Sequence, residues 1–332
     1  MSSINLESRS AAGLAPYMWT NGRGWCKSFL FAPANPAGLA ICRIWFFGYL
    51  LYRAAGSGLE TWALAPADLW QPILLLGWLP GPPRSAELLN GVHLAFVAAI
   101  ALSLVGLGTR LSTKTAFVLG IFVYGLPNCF GKVSHGLTLV IFGLGFFALA
   151  RAGDALSLDR LIGRLRGRSR PAPSGEYRWP IALMQLTMVL VFCAAGVAKL
   201  RTSGLAWIYS DTLLNYMVRA FYVGQDPATR LGPWLAQFPL LCNVLAFGTI
   251  WCEVTAPLAL FSKRYRWFVI PSLFAMQVGI DLVMGISFHH YLACYLFWIP
   301  WSDLADRTAA MWRRQPALSP PAKLVPSLRR AA

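Results

Sequence analysis

Lys199 stands at the end of a long apolar run, Ile181-Ala-Leu-Met-Gln-Leu-Thr-Met-Val-Leu-Val-Phe-Cys-Ala-Ala-Gly-Val-Ala-Lys199. An ammonium at the edge of a membrane helix has two ordinary uses. It reaches to the lipid headgroups as an anchor, or it faces an internal cavity where desolvation frees the amine to act as a base. Other polar residues sit in comparable places. His135 opens one apolar segment, Gln277 and Asp281 lie within another, and His289 and His290 open a third. Ionisable groups inside apolar spans are expensive, so their placement carries information. Each also has a plain structural reading: His135 as a helix-capping or interfacial histidine, Asp281 as partner of an intramembrane arginine or of Gln277, and Arg43 as a residue reaching to headgroups. His289 and His290 are neighbours, so on a helix they point about 100° apart and do not chelate as an i, i+4 pair would.

The elements that must position these groups are membrane helices. The chain has 332 residues, 57% of them hydrophobic and only 13% charged, and a mean hydropathy of +0.53. That charged share is about half the usual one for a soluble domain. The expected fold is all-α: a polytopic transmembrane bundle of about eight spans, near 36–56, 88–107, 114–128, 135–151, 180–200, 239–261, 267–284 and 286–301. The stretch 70–80 is too short to span and reads as an interfacial or re-entrant piece. The connection 200–238 contains Trp207, Tyr209 and Trp234 and reads as a packed extracytoplasmic cap. The expected organisation is a cytoplasmic N-terminal segment over 1–34, a transmembrane domain over 35–302, and a basic, disordered tail over 303–332. No cleavable signal pattern precedes the first apolar run.

The net charge of +16 comes from 29 basic and 13 acidic residues. Basic clusters at 108–114, 151–178, 262–266 and in the tail fall on one side of an eight-span bundle, which places both termini in the cytoplasm. The charge is read as contact with anionic membrane lipid, not with nucleic acid, since no nucleic-acid-binding module accompanies it. Seven scattered cysteines form no CxxC pair and read as small buried hydrophobes. No P-loop, nucleophile elbow, HExxH or strand-linked GxGxxG is present, and no metal site is inferred.

Several stretches together resemble the HTTM family, the membrane domain shared by vitamin K-dependent gamma-carboxylase and many bacterial proteins. They are Ala40-Ile-Cys-Arg-Ile-Trp-Phe-Phe-Gly48, Gly131-Lys-Val-Ser-His135, Gly153-Asp-Ala-Leu-Ser-Leu-Asp159, Ala195-Gly-Val-Ala-Lys-Leu200 with Gly204-Leu-Ala-Trp207, and Gln277-Val-Gly-Ile-Asp-Leu-Val-Met-Gly285. The resemblance runs over about 33–301. It implies that Lys199 is the base that deprotonates a reduced quinone such as vitamin K hydroquinone or menaquinol, with His135 in support, and that Gln277, Asp281, His289 and Trp207 help to hold the ligand. It also implies a location in the bacterial inner membrane. Two departures bear on function. Glutamine 277 stands where the family usually has histidine, and the chain has no counterpart of the large extracytoplasmic domain with which the carboxylase, a lyase, engages its peptide substrate. The expectation is therefore a quinol-oxidising, carboxylase-like membrane enzyme, with a non-enzymatic binder of quinone or lipid, or an accessory factor for maturation of an exported peptide, as the competing class.

Overall fold

The computed structural model describes residues 22–56, 58–73, 76–131, 135–223 and 230–314, and nothing is stated of the side chains at 22, 23, 135 and 312–314. The architecture is helical, with no strand among the described residues; pairing outside helices is limited there to the isolated bridges Ala34–Ser174 and Trp70–Phe130. After α1 (Gly22–Phe31), α2 (Pro36–Ala54) starts where Asn35 accepts a hydrogen bond from the Ala37 amide and Pro36 pre-sets the first turn. Helix α3 (Ala86–Val105) is capped by Ser85, which accepts from the Leu88 amide, and stops at Gly106 in the left-handed conformation. Helix α4 (Thr109–Gly125) returns beside it, and α5 (Thr138–Leu149) completes a first group with α2 and α3. Their shared interior is apolar: Phe46, Phe47, Phe147 and Phe297 pack ring against ring at 5.3–6.3 Å.

The short helix α6 (Leu158–Leu165) lies at the end where α3 turns into α4, and α7 (Trp179–Ser203) then packs on α5. Three short helices follow, α8 (Ala206–Tyr209), α9 (Thr212–Tyr222) and α10 (Leu231–Leu235). Helix α11 (Pro239–Thr255) runs on as a 3-10 turn to Leu260, and α12 (Lys263–Met284) begins at the Ser262 cap. Helices α13 (His289–Cys294) and α14 (Trp301–Arg314) end the described chain. Among the described residues four stretches are long and apolar enough to cross a membrane: Ala86–Val105, Gly175–Ser203, Pro239–Leu260 and Lys263–Met284.

Several expectations change. The segments at 135–151 and 286–301 form helices of 12 and 6 residues, too short for the ~20 residues a span needs. Gly285, left-handed at φ 65°, closes α12, and a 3-10 turn, Tyr295–Trp298, ends the second of these stretches. The start of the tail is helical. It continues as α14 against α2, with Asn35 donating to Asp306 at 2.7 Å; the part from about 316, where disorder is expected, lies outside the described residues. Within the stretch 70–80 the described residues 70–73 and 76 lie near the end of α4, where the Gln71 amide donates to the Cys129 carbonyl at 2.7 Å and Leu76 covers Gly125.

Arg43 does not reach to headgroups. It is fully buried and donates to the carbonyls of Ser103 and Leu156 at 2.6 Å and of Leu104 at 3.0 Å. Those carbonyls are the unpaired end of α3 and a loop residue held at a positive φ, so the guanidinium caps one helix and fixes the next loop. In the same loop Asp159 accepts from the Gly108 amide and from the amide and hydroxyl of Thr109, which caps α4. The Gly153–Asp159 stretch is thus a structural clasp.

Candidate functional site

Helices α7 and α11 touch at Gly196. A Cβ placed there would meet the Cβ of Glu253 and a methyl of Val254, both at 2.9 Å, so only glycine permits this approach. Lys199 lies three residues on, over the same face. Its Nζ donates to both oxygens of Glu253, at 2.6 and 2.7 Å. The Glu253 side chain is 5% exposed and that of Lys199 24%. After α7, Gly204 takes a positive φ of 57° and turns the chain back, which sets the Trp207 ring 5.4 Å from the Lys199 nitrogen. A carboxylate and an aromatic face both stabilise an ammonium. The lone amine expected from sequence is therefore one half of an ion pair. Glu253 was missed by sequence reasoning, although it is the one acidic residue of the 239–261 stretch and thus a natural partner for a lysine on a neighbouring span.

The other expected groups do not join this pair in one cluster. Asp281 lies 3.6 Å from His289 Nε2, and the Nδ1 of that histidine pairs with Ser287. Gln277 is 2% exposed, and its side-chain oxygen has no hydrogen-bond partner among the described residues. The backbone of His135 opens the short turn His135–Leu137; its side chain lies outside the described part. His290 diverges from His289 and pairs with the Tyr49 hydroxyl at 3.2 Å.

His290 and Leu137 meet instead at a cavity of about 380 Å³, closed by His93, Phe96, Val123 and Tyr124. His93 is 8% exposed. Its Nε2 lies 3.2 Å from the Ala54 carbonyl. A carbonyl only accepts, so Nε2 carries the hydrogen and Nδ1 holds a lone pair. That Nδ1 is buried and without a partner among the described residues. Neither this cavity nor the larger one beside α6 is lined by Lys199.

Comparison of the chain with protein-family models, with curated proteins and with solved structures found no match. The functional reading therefore stands on this geometry: a ring-sized, partly open cavity whose wall mixes polar groups, Arg53 and two histidines among them, with apolar ones, and apart from it an ion pair joining two helices.

Proposed function

We propose that this chain is an HTTM-like integral membrane protein that binds a reduced, quinone-class ring in the cavity lined by His93, His290, Phe96 and Tyr124. The observation that carries the reading is the 380 Å³ cavity with His93 and His290 in its wall, within the size range of small-molecule sites. The chemistry of the wall fits such a group. A neutral His93 turned to face the cavity would offer Nδ1 as an acceptor, which suits a ligand hydroxyl; a reduced quinone carries one, and the oxidised form does not. Phe96 and Tyr124, packed edge to face at 5.6 Å, offer apolar surface for a ring. The proposal includes a bacterial inner membrane as the location, both termini in the cytoplasm, and α8–α10 as a cap on the other side. On this topology the cavity faces the cap side.

A second reading, oxidation of the bound ring, is favoured by the pair of Lys199 and Glu253 beneath Trp207. A reduced quinone, when bound, supplies electrons that dioxygen can take. Two electrons and two protons leave the quinol and convert dioxygen to hydrogen peroxide, and the pair would relay one of those protons: Lys199 passes its proton to Glu253, the freed amine takes one from the ligand side, and the pair gives it up again to the peroxide. Because Lys199 lines neither cavity, binding without turnover takes precedence. Accessory function in maturation of an exported peptide would use the same cavity without catalysis.

Purified protein incubated with menaquinol and oxygen separates these readings. Saturable binding of menaquinol, lost in His93→Leu, with no product formed, is the expected result. Product formed by the wild type and abolished in a Lys199→Met variant that still binds menaquinol saturably would establish the oxidative reading in its place. No saturable binding would remove both.

A further inference from the structure

At the end of the bundle where α3 turns into α4, a second cavity of about 590 Å³ opens beside α6. Its wall holds five arginines, Arg160, Arg166 and Arg168 among them, against two aspartates. Both aspartates are already engaged. Asp159 caps α4, and Asp154 pairs with Arg151 at 2.9 Å and accepts from the Tyr177 hydroxyl at 2.8 Å. The positive charge is thus in excess. Arg160 donates to the Ser169 carbonyl at 2.9 Å, which holds the loop after α6 folded back over the cavity.

The position of this cavity says what would fill it. It includes Gly108 and Thr109, just past the end of the membrane-long helix Ala86–Val105, and Ala150, just past α5. The cavity therefore lies at the level where a span meets the headgroups, whichever way the protein is oriented. On α6 the side chains Leu158, Leu161 and Leu165 recur at three- and four-residue spacing and are all exposed. That stripe makes α6 an amphipathic helix with an unpartnered apolar face beside an arginine-rich cavity, the pattern of a helix lying in the membrane interface.

We infer that the cavity beside α6 binds the phosphate headgroup of an anionic phospholipid, with the leucine stripe of α6 against its acyl chains. Guanidinium groups suit phosphate oxygens, which they contact through paired donors. The inference is independent of the quinone-class reading, because no residue of that cavity takes part.

The test uses the full chain purified in a neutral detergent, with thermal unfolding as the readout. Short-chain phosphatidylglycerol is compared with phosphatidylcholine of the same chain length and with inorganic phosphate. The expected result is a saturable rise in Tm with phosphatidylglycerol alone, weakened by added salt. Arg160→Gln/Arg166→Gln/Arg168→Gln should raise the concentration needed at least tenfold. Should that variant not fold, the single change Arg166→Gln should still raise it about threefold. Equal shifts from phosphatidylcholine would overturn the charge argument, and equal shifts from inorganic phosphate would replace the lipid by a free anion. An undiminished response in the arginine variants, the single one included, would sink the site.

Discussion

At the scale of single residues, the Lys199–Glu253 pair decides how α7 and α11 are joined. A buried ion pair contributes little net stability against a well-packed apolar replacement, yet removing one partner strands the other charge. Lys199→Met should therefore cost about 3–5 kcal/mol of unfolding free energy, because Glu253 is 5% exposed and loses both donors. Glu253→Gln should cost less, since Lys199 keeps partial access to water and the Trp207 face. The double variant Lys199→Met/Glu253→Gln should recover most of the loss. Denaturant unfolding of the four proteins in one detergent forms the cycle. Additive losses would mean that the two side chains do not act together. The pair was not legible in the sequence for a plain reason. Lys199 stood out as a charge in an apolar run, but which of several spans faced it is tertiary information. Arg43 was misread on the same ground: headgroups are the default destination of a span-end arginine, and nothing local announces that the carbonyls of Ser103, Leu104 and Leu156 lie within its reach.

At the scale of elements, two joints carry predictions. Gly196 sets the spacing of α7 and α11. Gly196→Val places two methyls where Glu253 and Val254 already stand, so the helices must part and the ion pair lengthens. The expected loss is about 1–3 kcal/mol for the overpacking in addition to what the lengthened ion pair loses, so the combined variant with Lys199→Met should lose less than the sum of the two single losses. A full additional loss in the combined variant would show that the pair survives the insertion. The other joint is the α4 cap. Burial alone would raise the Asp159 pKa, but hydrogen bonds from the Thr109 hydroxyl and amide and the Gly108 amide, with the charge of Arg43, outweigh it and hold the carboxyl below its ordinary 3.8. A carboxylate whose folded pKa is depressed contributes stability that is complete above the unfolded value and fades as pH falls through the folded one. Wild-type Tm should therefore fall more steeply below about pH 4 than that of Asp159→Asn, which has no such group to protonate. Parallel curves would deny the cap its charge. Such joints were partly legible. The expected break between 284 and 286 falls where Gly285 ends α12, whereas the caps at Ser85, Gly106 and Ser262 were not singled out. The brevity of α5 and α13 was not legible, because unbroken apolar composition is as compatible with a short packed helix and a 3-10 turn as with a span.

At the scale of the whole molecule, the apolar interior is divided. One cluster takes in the phenylalanines of α2 and α5 together with residues of α3, α4, α7, α12 and α13. A second, much smaller one holds Met217, Ala220, Cys242 and Met284, with Leu213, Leu214, Leu235, Ala236, Ile280 and Val283 against it. Its members come from α9, α10, the start of α11 and the end of α12. From Glu253 back to Pro239, α11 runs roughly 21 Å beyond the ion pair at the usual helical rise; α8 and α9 pack on α11, and Cys242 near its start meets the Leu235 carbonyl of α10. So small a cluster excludes little water and ties few residues together, whereas the main core must open as a whole. Regions with few buried apolar contacts open at lower free energy than the global transition. The amides of α9 and α10 should therefore exchange hydrogen at least about tenfold faster than the hydrogen-bonded amides of α3 and α4, read by mass spectrometry on the protein in lipid nanodiscs. Lys199→Met should accelerate exchange in α9 and α10 further, because the ion pair is where the projecting half of α11 is fixed to α7, and leave α3 and α4 unchanged. Equal protection in all four helices would mean that α8–α10 open only with the bundle. In that case the small cluster is continuous with the main core in its energetics.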